Sequence, residues 1–234
     1  MNYSLPAPIT AENLLFVQWK SYAEMICIYF LAFYALENED QHKIMAVIMA
    51  MVILFISIRV YRSFTAGAFY AEESRMAGPF ETVGLNSNHF GAFIVSYCSV
   101  FLGLLLFDKN KWRRLLFLVT ILLGLYPLFY SYSRGAYLAT IGVLVFFGMI
   151  KKRSLLILAL VLFLGWQTLL PTSVVDRIKM TKTESGELEG SASARLDLWN
   201  HAVDLFRKKP IFGVGFGGFR FTVPEGARHI YTHS

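Results

Sequence analysis

Arg134 stands between two apolar runs, in Tyr130-Ser131-Tyr132-Ser133-Arg134-Gly135-Ala136. A charge at membrane depth costs at least ~2.5 to 3.5 kcal/mol on insertion scales, so an arginine there needs a partner or a task. Its guanidinium keeps its charge in a partly dry site and presents a planar fork of donors that suits phosphate oxygens. The small neighbours Ser133, Gly135 and Ala136 let a ligand or another helix come close. The same arginine could instead snorkel to the interface. A second group is Arg75-Met76-Ala77-Gly78-Pro79-Phe80, then Asn86-Ser87-Asn88-His89-Phe90-Gly91, directly before an apolar run. Asparagines at the mouth of a helix can cap its amides or hydrogen-bond a sugar hydroxyl, and the spacing does not choose between them. His89 reads as an interface histidine before it reads as a catalyst. A third group follows Pro171: Arg195, His201, the glycines 213, 215, 217 and 218 interleaved with Phe212, Phe216 and Phe219, then Arg228, His229 and His233. Histidine titrates near neutral pH and can act as a general base toward a hydroxyl. The glycine run is not a dinucleotide fingerprint, because no strand precedes it, and it reads as a set of tight turns.

These residues are set among elements that the composition already describes. The 234 residues are 56% hydrophobic and 16% charged with a mean hydropathy of +0.50, too apolar for an ordinary soluble domain. The apolar residues come in long runs separated by short charged clusters, the pattern of membrane spans, which excludes a disordered chain, a disulfide scaffold and a simple cytosolic enzyme. Five spans are clear: Ile44 to Ile58 continuing to Tyr61, Phe90 to Phe107, Leu115 to Tyr132, Gly135 to Ile150 and Leu155 to Leu170. A weaker first span ends at Leu36 and carries Lys20 and Glu24, four apart and able to neutralise each other. Cys27 and Cys98 lie inside apolar runs without zinc or redox spacing and read as buried small hydrophobes. Met1 to Thr10 has no basic residue and two prolines, so it does not read as a signal peptide.

The expectation is therefore an all-α integral membrane protein, a multi-span helical bundle of about six spans over residues 1–170. Residues 171–234 form a long extracytoplasmic loop. Lys109, Lys111, Arg113 and Arg114 make one basic cluster and Lys151, Lys152 and Arg153 another, two spans apart, so both fit the cytoplasmic side. The Ser133-Arg134-Gly135 turn, the segment from about Arg62 to His89 and the chain after Leu170 then face the other side. Glu37 to Lys43 fits less well, being cytoplasmic yet mostly acidic. Within the long loop, Thr172 to Ser193 reads as flexible, and Leu196, Trp199, Val203 and Phe206 recur at helical spacing. An amphipathic helix near 194–209 is expected there, capped by Ser193 and stopped by Pro210. The net charge of +6 is explained by the loops between spans, and nine basic against seven acidic residues after Leu170 give no nucleic-acid surface.

The motifs in this order resemble the O-antigen ligase and polymerase superfamily of bacterial envelope proteins. The resemblance rests on Arg75-x-x-Gly78 with Asn86-x-Asn88, on Ser133-Arg134-Gly135-Ala136, on Arg195-x-x-x-Trp199 leading to Pro210-x-x-Gly213-x-Gly215-x-Gly217-x-x-Phe219, and on His233-Ser234. It covers roughly residues 60 to 234. It implies a helical membrane glycosyltransferase of the inner membrane, inverting and metal-independent, without a cofactor, working on the periplasmic side. The donor would be a glycan on undecaprenyl diphosphate. A ligase would pass it to the sugar of a lipid A core, a polymerase to another lipid-linked repeat. The resemblance further implies that Arg134 and Arg75, with Arg195 as a weaker candidate, hold the donor diphosphate and that His233 activates the acceptor hydroxyl. Asn86, Asn88 and Ser133 would be possible substrate contacts. Since the family has more spans, the chain is expected to be a piece lacking spans at both ends. Two readings of other classes stand beside this one. An anion transporter would use Arg134 and Arg75 on a translocating anion, and a non-catalytic scaffold would leave Arg134 and His233 dispensable.

Overall fold

The computed structural model describes residues 13–63, 75–79, 86–179, 190–216 and 218–223. They form α1 (Leu14–Ala35), α2 (Glu39–Ser63), α3 (Ser87–Phe107), α4 (Lys111–Tyr130), α5 (Arg134–Ile150), α6 (Ser154–Leu169), α7 (Thr172–Lys179), α8 (Gly190–Lys208) and the short α9 (Phe219–Thr222), with no strand among the described residues. Among the described residues, three helices are long and apolar enough to cross a membrane: α2 over Glu39–Arg62, α3 and α4. The pair α6 and α7 passes the same test together, with a bend of 102° at Pro171, while α5 is apolar but only 17 residues long. Large apolar side chains such as Leu122, Leu138, Met149 and Leu164 are exposed on these helices, as a lipid-facing surface requires.

Several helices begin earlier than their apolar runs, because polar residues cap them. Asn86 caps α3 and Asn110 caps α4, each side-chain oxygen accepting two backbone amides, and Ser133 caps α5. α2 starts at Glu39, so most of the acidic stretch expected as a loop is its first turn, where Glu39 and Asp40 meet the positive end of the helix dipole. The segment 172–193, expected to be flexible, contains α7. Thr172–Lys179 presents Val174, Val175 and Ile178 at helical spacing, and the Pro171 carbonyl accepts the amides of Val174 and Val175 at 3.0 Å. Ser193 lies inside α8, which starts at Gly190, so it is not the cap.

The chain divides into two compact units, one of residues 43–182 and one of residues 1–42 with 183–234. In the first, α3 packs against α4 and α5, and α5 forms a hairpin with α6. Its core is Ala50, Ile53, Phe90, Ile94, Phe101, Phe117 and Leu128, with Phe101 and Phe117 stacked at 5.8 Å. Cys98 is half-buried beside Gly124, while Cys27 is exposed on α1 and so is not the buried hydrophobe expected of it. α1 exposes apolar side chains around most of its surface, and Cys27 shares that face. The second unit contains α1, α8 and α9. Lys20 and Glu24 form their expected i,i+4 pair at 3.5 Å, and Tyr22 meets the Phe216 ring edge-on at 5.7 Å.

Candidate functional site

In the first unit, the residues 75–79, the start of α3 and the α4–α5 turn meet at one end of the bundle. The Met76 amide donates to the Tyr130 carbonyl at 3.1 Å, which fastens the 75–79 segment to the last turn of α4. Gly78 has φ of +57°, and a Cβ there would stand 2.7 to 2.9 Å from the Phe90 ring, so only glycine fits both the backbone and the space. Gly91 lets α3 approach the α4–α5 turn in the same way. A Cβ on it would meet Ser131 Oγ at 2.8 Å and Ser133 Cβ at 3.0 Å.

The turn between α4 and α5 is the strained part of this corner. Pro127 sits inside α4 and withholds an amide from its ladder, four residues before the helix gives way to Ser131 and Tyr132. Tyr132 has φ of +50° with a buried side chain, a left-handed conformation that costs roughly 1 to 3 kcal/mol for such a residue. The tight packing holds it there. Ser131 Oγ donates to the Leu128 carbonyl at 2.7 Å, the Tyr137 hydroxyl donates to the Phe129 carbonyl, and the Tyr130 and Tyr132 rings meet at 5.9 Å.

The residues singled out from sequence take definite places in this corner. Asn86 Oδ1 accepts the amides of Asn88 at 3.0 Å and His89 at 3.3 Å and contacts His89 Nδ1 at 2.8 Å, so this asparagine caps α3. Asn88 Oδ1 accepts from Arg75 Nη2 at 2.7 Å. That bond fixes a half-buried guanidinium from one face. Ser133 is buried, and its hydroxyl accepts the Ala136 amide at 3.4 Å. Arg134 is the first residue of α5 and half-buried, at a helix terminus whose amides favour anions. The structure thus brings Arg75, Asn86, Asn88, Ser133 and Arg134 to one end of one unit.

Arg195 lies in α8, in the other unit. There His201 Nε2 stands 3.3 Å from Thr222 Oγ1 and its ring 5.7 Å from that of Phe219, while Gly213 and Gly215 take φ of +57° and +82° as the tight turns require. His233, Arg228 and His229 lie outside the described residues. Among the described residues no three His, Cys, Asp or Glu side chains are grouped as a metal site. Sequence reading passed over Arg177, which is only 7% exposed on α7. A signal was present: Val174 and Val175 just before it mark a buried helical face, which the surrounding Ser and Thr residues masked.

Residues 119–233 match the family described as O-Antigen ligase. The matched stretch takes in the second half of α4, Ser133, Arg134, Arg177, Arg195 and His233, and leaves Arg75, Asn86 and Asn88 before it. No curated protein and no solved structure matches the chain.

Proposed function

Because the chain belongs, through residues 119–233, to the O-antigen ligase family, we propose that it transfers a glycan from undecaprenyl diphosphate to an acceptor sugar. Ligation to a lipid A core is the first reading and polymerisation of lipid-linked repeats the second, since both need the same donor site. In this reading the protein has six spans in the inner membrane, with both basic loops cytoplasmic and the Arg75–Arg134 corner periplasmic.

The observation that carries the reading is the corner itself. Two arginines and the first turn of α5 share the end of the bundle where Met76 is fastened to Tyr130 and Asn88 to Arg75. In the proposed reaction the acceptor hydroxyl oxygen forms a bond to the anomeric carbon as the bond from that carbon to the diphosphate oxygen breaks. His233 takes the hydroxyl proton, and the electron pair leaves with the diphosphate. Arg134 and Arg75 stabilise the charge that develops there, with no metal assigned to that task, and the α5 amides favour it too. Asn88 acts as a positioning residue for Arg75, while Asn86 serves the helix. Arg195 is a further phosphate candidate. A carrier with inverted repeats would need a matched pair of broken helices, and α6–α7 is one bent pair among the described residues.

The test is a gel of envelope glycolipids from cells whose protein carries Arg134→Ala or His233→Ala, at matched protein level. Loss of the long-chain ladder with accumulated lipid-linked polymer supports a ligase, and a single-repeat band supports a polymerase. An intact ladder in both variants removes glycan transfer.

A further inference from the structure

At the end of the first unit away from Arg134, the α3–α4 and α5–α6 connections and the start of α4 carry seven lysine or arginine residues and one carboxylate, Asp108. Asp108 is engaged by Arg113, through Nε at 2.6 Å and Nη2 at 2.8 Å, and Arg114 Nε donates to the Leu105 carbonyl at 3.1 Å. Lys151 is exposed and holds its ammonium 4.6 Å from the centroid of the Phe107 ring, which shows that the two basic loops share one end. Along the middle of the unit, between the Arg134 end and this one, an open groove of about 430 Å³ runs between α3 and α5, lined by Ser99, Val100, Ala139, Gly142, Val143 and Phe146. Ser99 brings the lone hydroxyl of these six, and it already donates to the Ser96 carbonyl at 2.7 Å. The lining is therefore apolar in effect. Phe147 completes the wall, and its carbonyl accepts the amides of Lys151 and Lys152 at 2.9 and 3.2 Å, so the basic loop follows within one helical turn of the groove's last α5 residue.

We infer that this groove holds an acyl chain of a phospholipid whose anionic headgroup sits beside Lys151. Three features favour a lipid over a transmembrane helix as the occupant. Ala139 lies twelve residues before Lys151, a rise of ~18 Å, close to one leaflet of a core ~30 Å thick. Farther along, a Cβ on Gly91 would stand 3.2 Å from Ala136 Cβ, so α3 and α5 are in contact there and no groove continues for a spanning helix. No basic residue lines the groove, but Lys151 and Lys152, four and five residues beyond Phe147 and past its ring's contact with Gly103, complement a phosphate held there, whereas a neutral helix would gain nothing from them. This site is separate from the Arg75–Arg134 corner and does not depend on glycan transfer.

The test uses the full chain in detergent micelles, offered phosphatidylglycerol, phosphatidylcholine or inorganic phosphate, with retained lipid counted by native mass spectrometry. Phosphatidylglycerol should be retained at least about fivefold better than phosphatidylcholine, the ratio expected of ~1 kcal/mol per basic side chain near the phosphate. Lys151→Gln should remove most of that preference. Gly142→Leu should lower retention of both lipids, since a side chain there enters open space. Ala139→Leu is the second variant should Gly142→Leu fail to fold. Equal retention of both lipids overturns the inference, as does displacement of phosphatidylglycerol by inorganic phosphate alone. Groove variants that leave lipid retention unchanged but alter the oligomeric state would assign the groove to a second copy instead.

Discussion

At one end of the first unit, Arg75 is tied to Asn88, Arg134 opens α5 from a half-buried position, and the connecting turn holds Tyr132 in a left-handed conformation. At the other end, Lys109, Lys111, Lys151 and Lys152 stand exposed, and Arg113 pairs with Asp108 five residues before it. The same helices run between the two. Charge placed outward at a helix end costs little and orients the chain in the membrane, whereas charge drawn inward needs built partners and a distorted backbone to hold it. The second arrangement is the one expected of a site that meets a ligand's charge.

Substitutions at the two ends should separate these roles. Arg134→Ala should lower glycan transfer by about 100-fold or more, the scale of losing a group that stabilises developing charge. Lys109→Ala at the basic end should change transfer less than about threefold, so equal losses in a quantitative ladder assay would erase the distinction.

Asn88→Ala should reduce transfer by about 10- to 100-fold, matching ~1.5 to 3 kcal/mol for a hydrogen bond to a charged group. Asn88→Asp keeps an acceptor for Arg75 and should recover most of it. Failure of Asp to rescue, with normal expression, would show that Asn88 does more than position the guanidinium.

Gly78→Ala should destabilise the protein by about 1 to 3 kcal/mol, through backbone strain and collision with Phe90. Gly142→Ala, where an added Cβ meets nothing within 4 Å, should be neutral or stabilise by up to ~1 kcal/mol. Unfolding midpoints in detergent compare the two, and similar losses would contradict the packing of Gly78 under the Phe90 ring.

Asp108 gives the smallest effect. Its hydrogen bonds from Arg113 lower its pKa to about 2, ahead of the smaller help from the Asn110 amide and the Arg113 charge. A carboxylate depressed in the folded state adds stability above its unfolded value of ~3.9, and this is lost as pH falls from there through about 2. Between pH 5 and 8 Asp108 should therefore contribute no slope to stability. Asp108→Asn should cost no more than ~1 kcal/mol at neutral pH, and a larger drop in thermal midpoint would mean that the pair organises the loop.

The apolar helices were legible because each is a contiguous run whose transfer into lipid sums residue by residue, although among the described residues only α2, α3 and α4, and α6 with α7 as a bent pair, are long and apolar enough to cross a membrane. The five-residue shift at the start of α2 was not legible, since Glu39 and Asp40 are polar and only the helix dipole makes them a good first turn. α7 was hidden for a related reason: Thr172 and Ser173 suggest a loop, yet Val174, Val175 and Ile178 supply a helical face once Pro171 turns the chain. At the corner, Arg134 and Ser133 stood out in the sequence by charge and size, and the structure places both at the start of α5. The division of labour between Asn86 and Asn88 was not legible, because both stand at the mouth of the same helix with equal chemistry.

By itself, then, the sequence determined that the chain is helical and built for a membrane, with a basic end and an arginine between apolar runs. Those properties depend on composition and short-range period, which need no partner. Tertiary structure alone decided that Asn88 rather than Asn86 holds Arg75, that Gly78 lies under the Phe90 ring, that Tyr132 stays left-handed and that Arg177 is covered. Each of these depends on groups brought close by packing, where the cost of a buried charge or a strained turn is set by its neighbours in space.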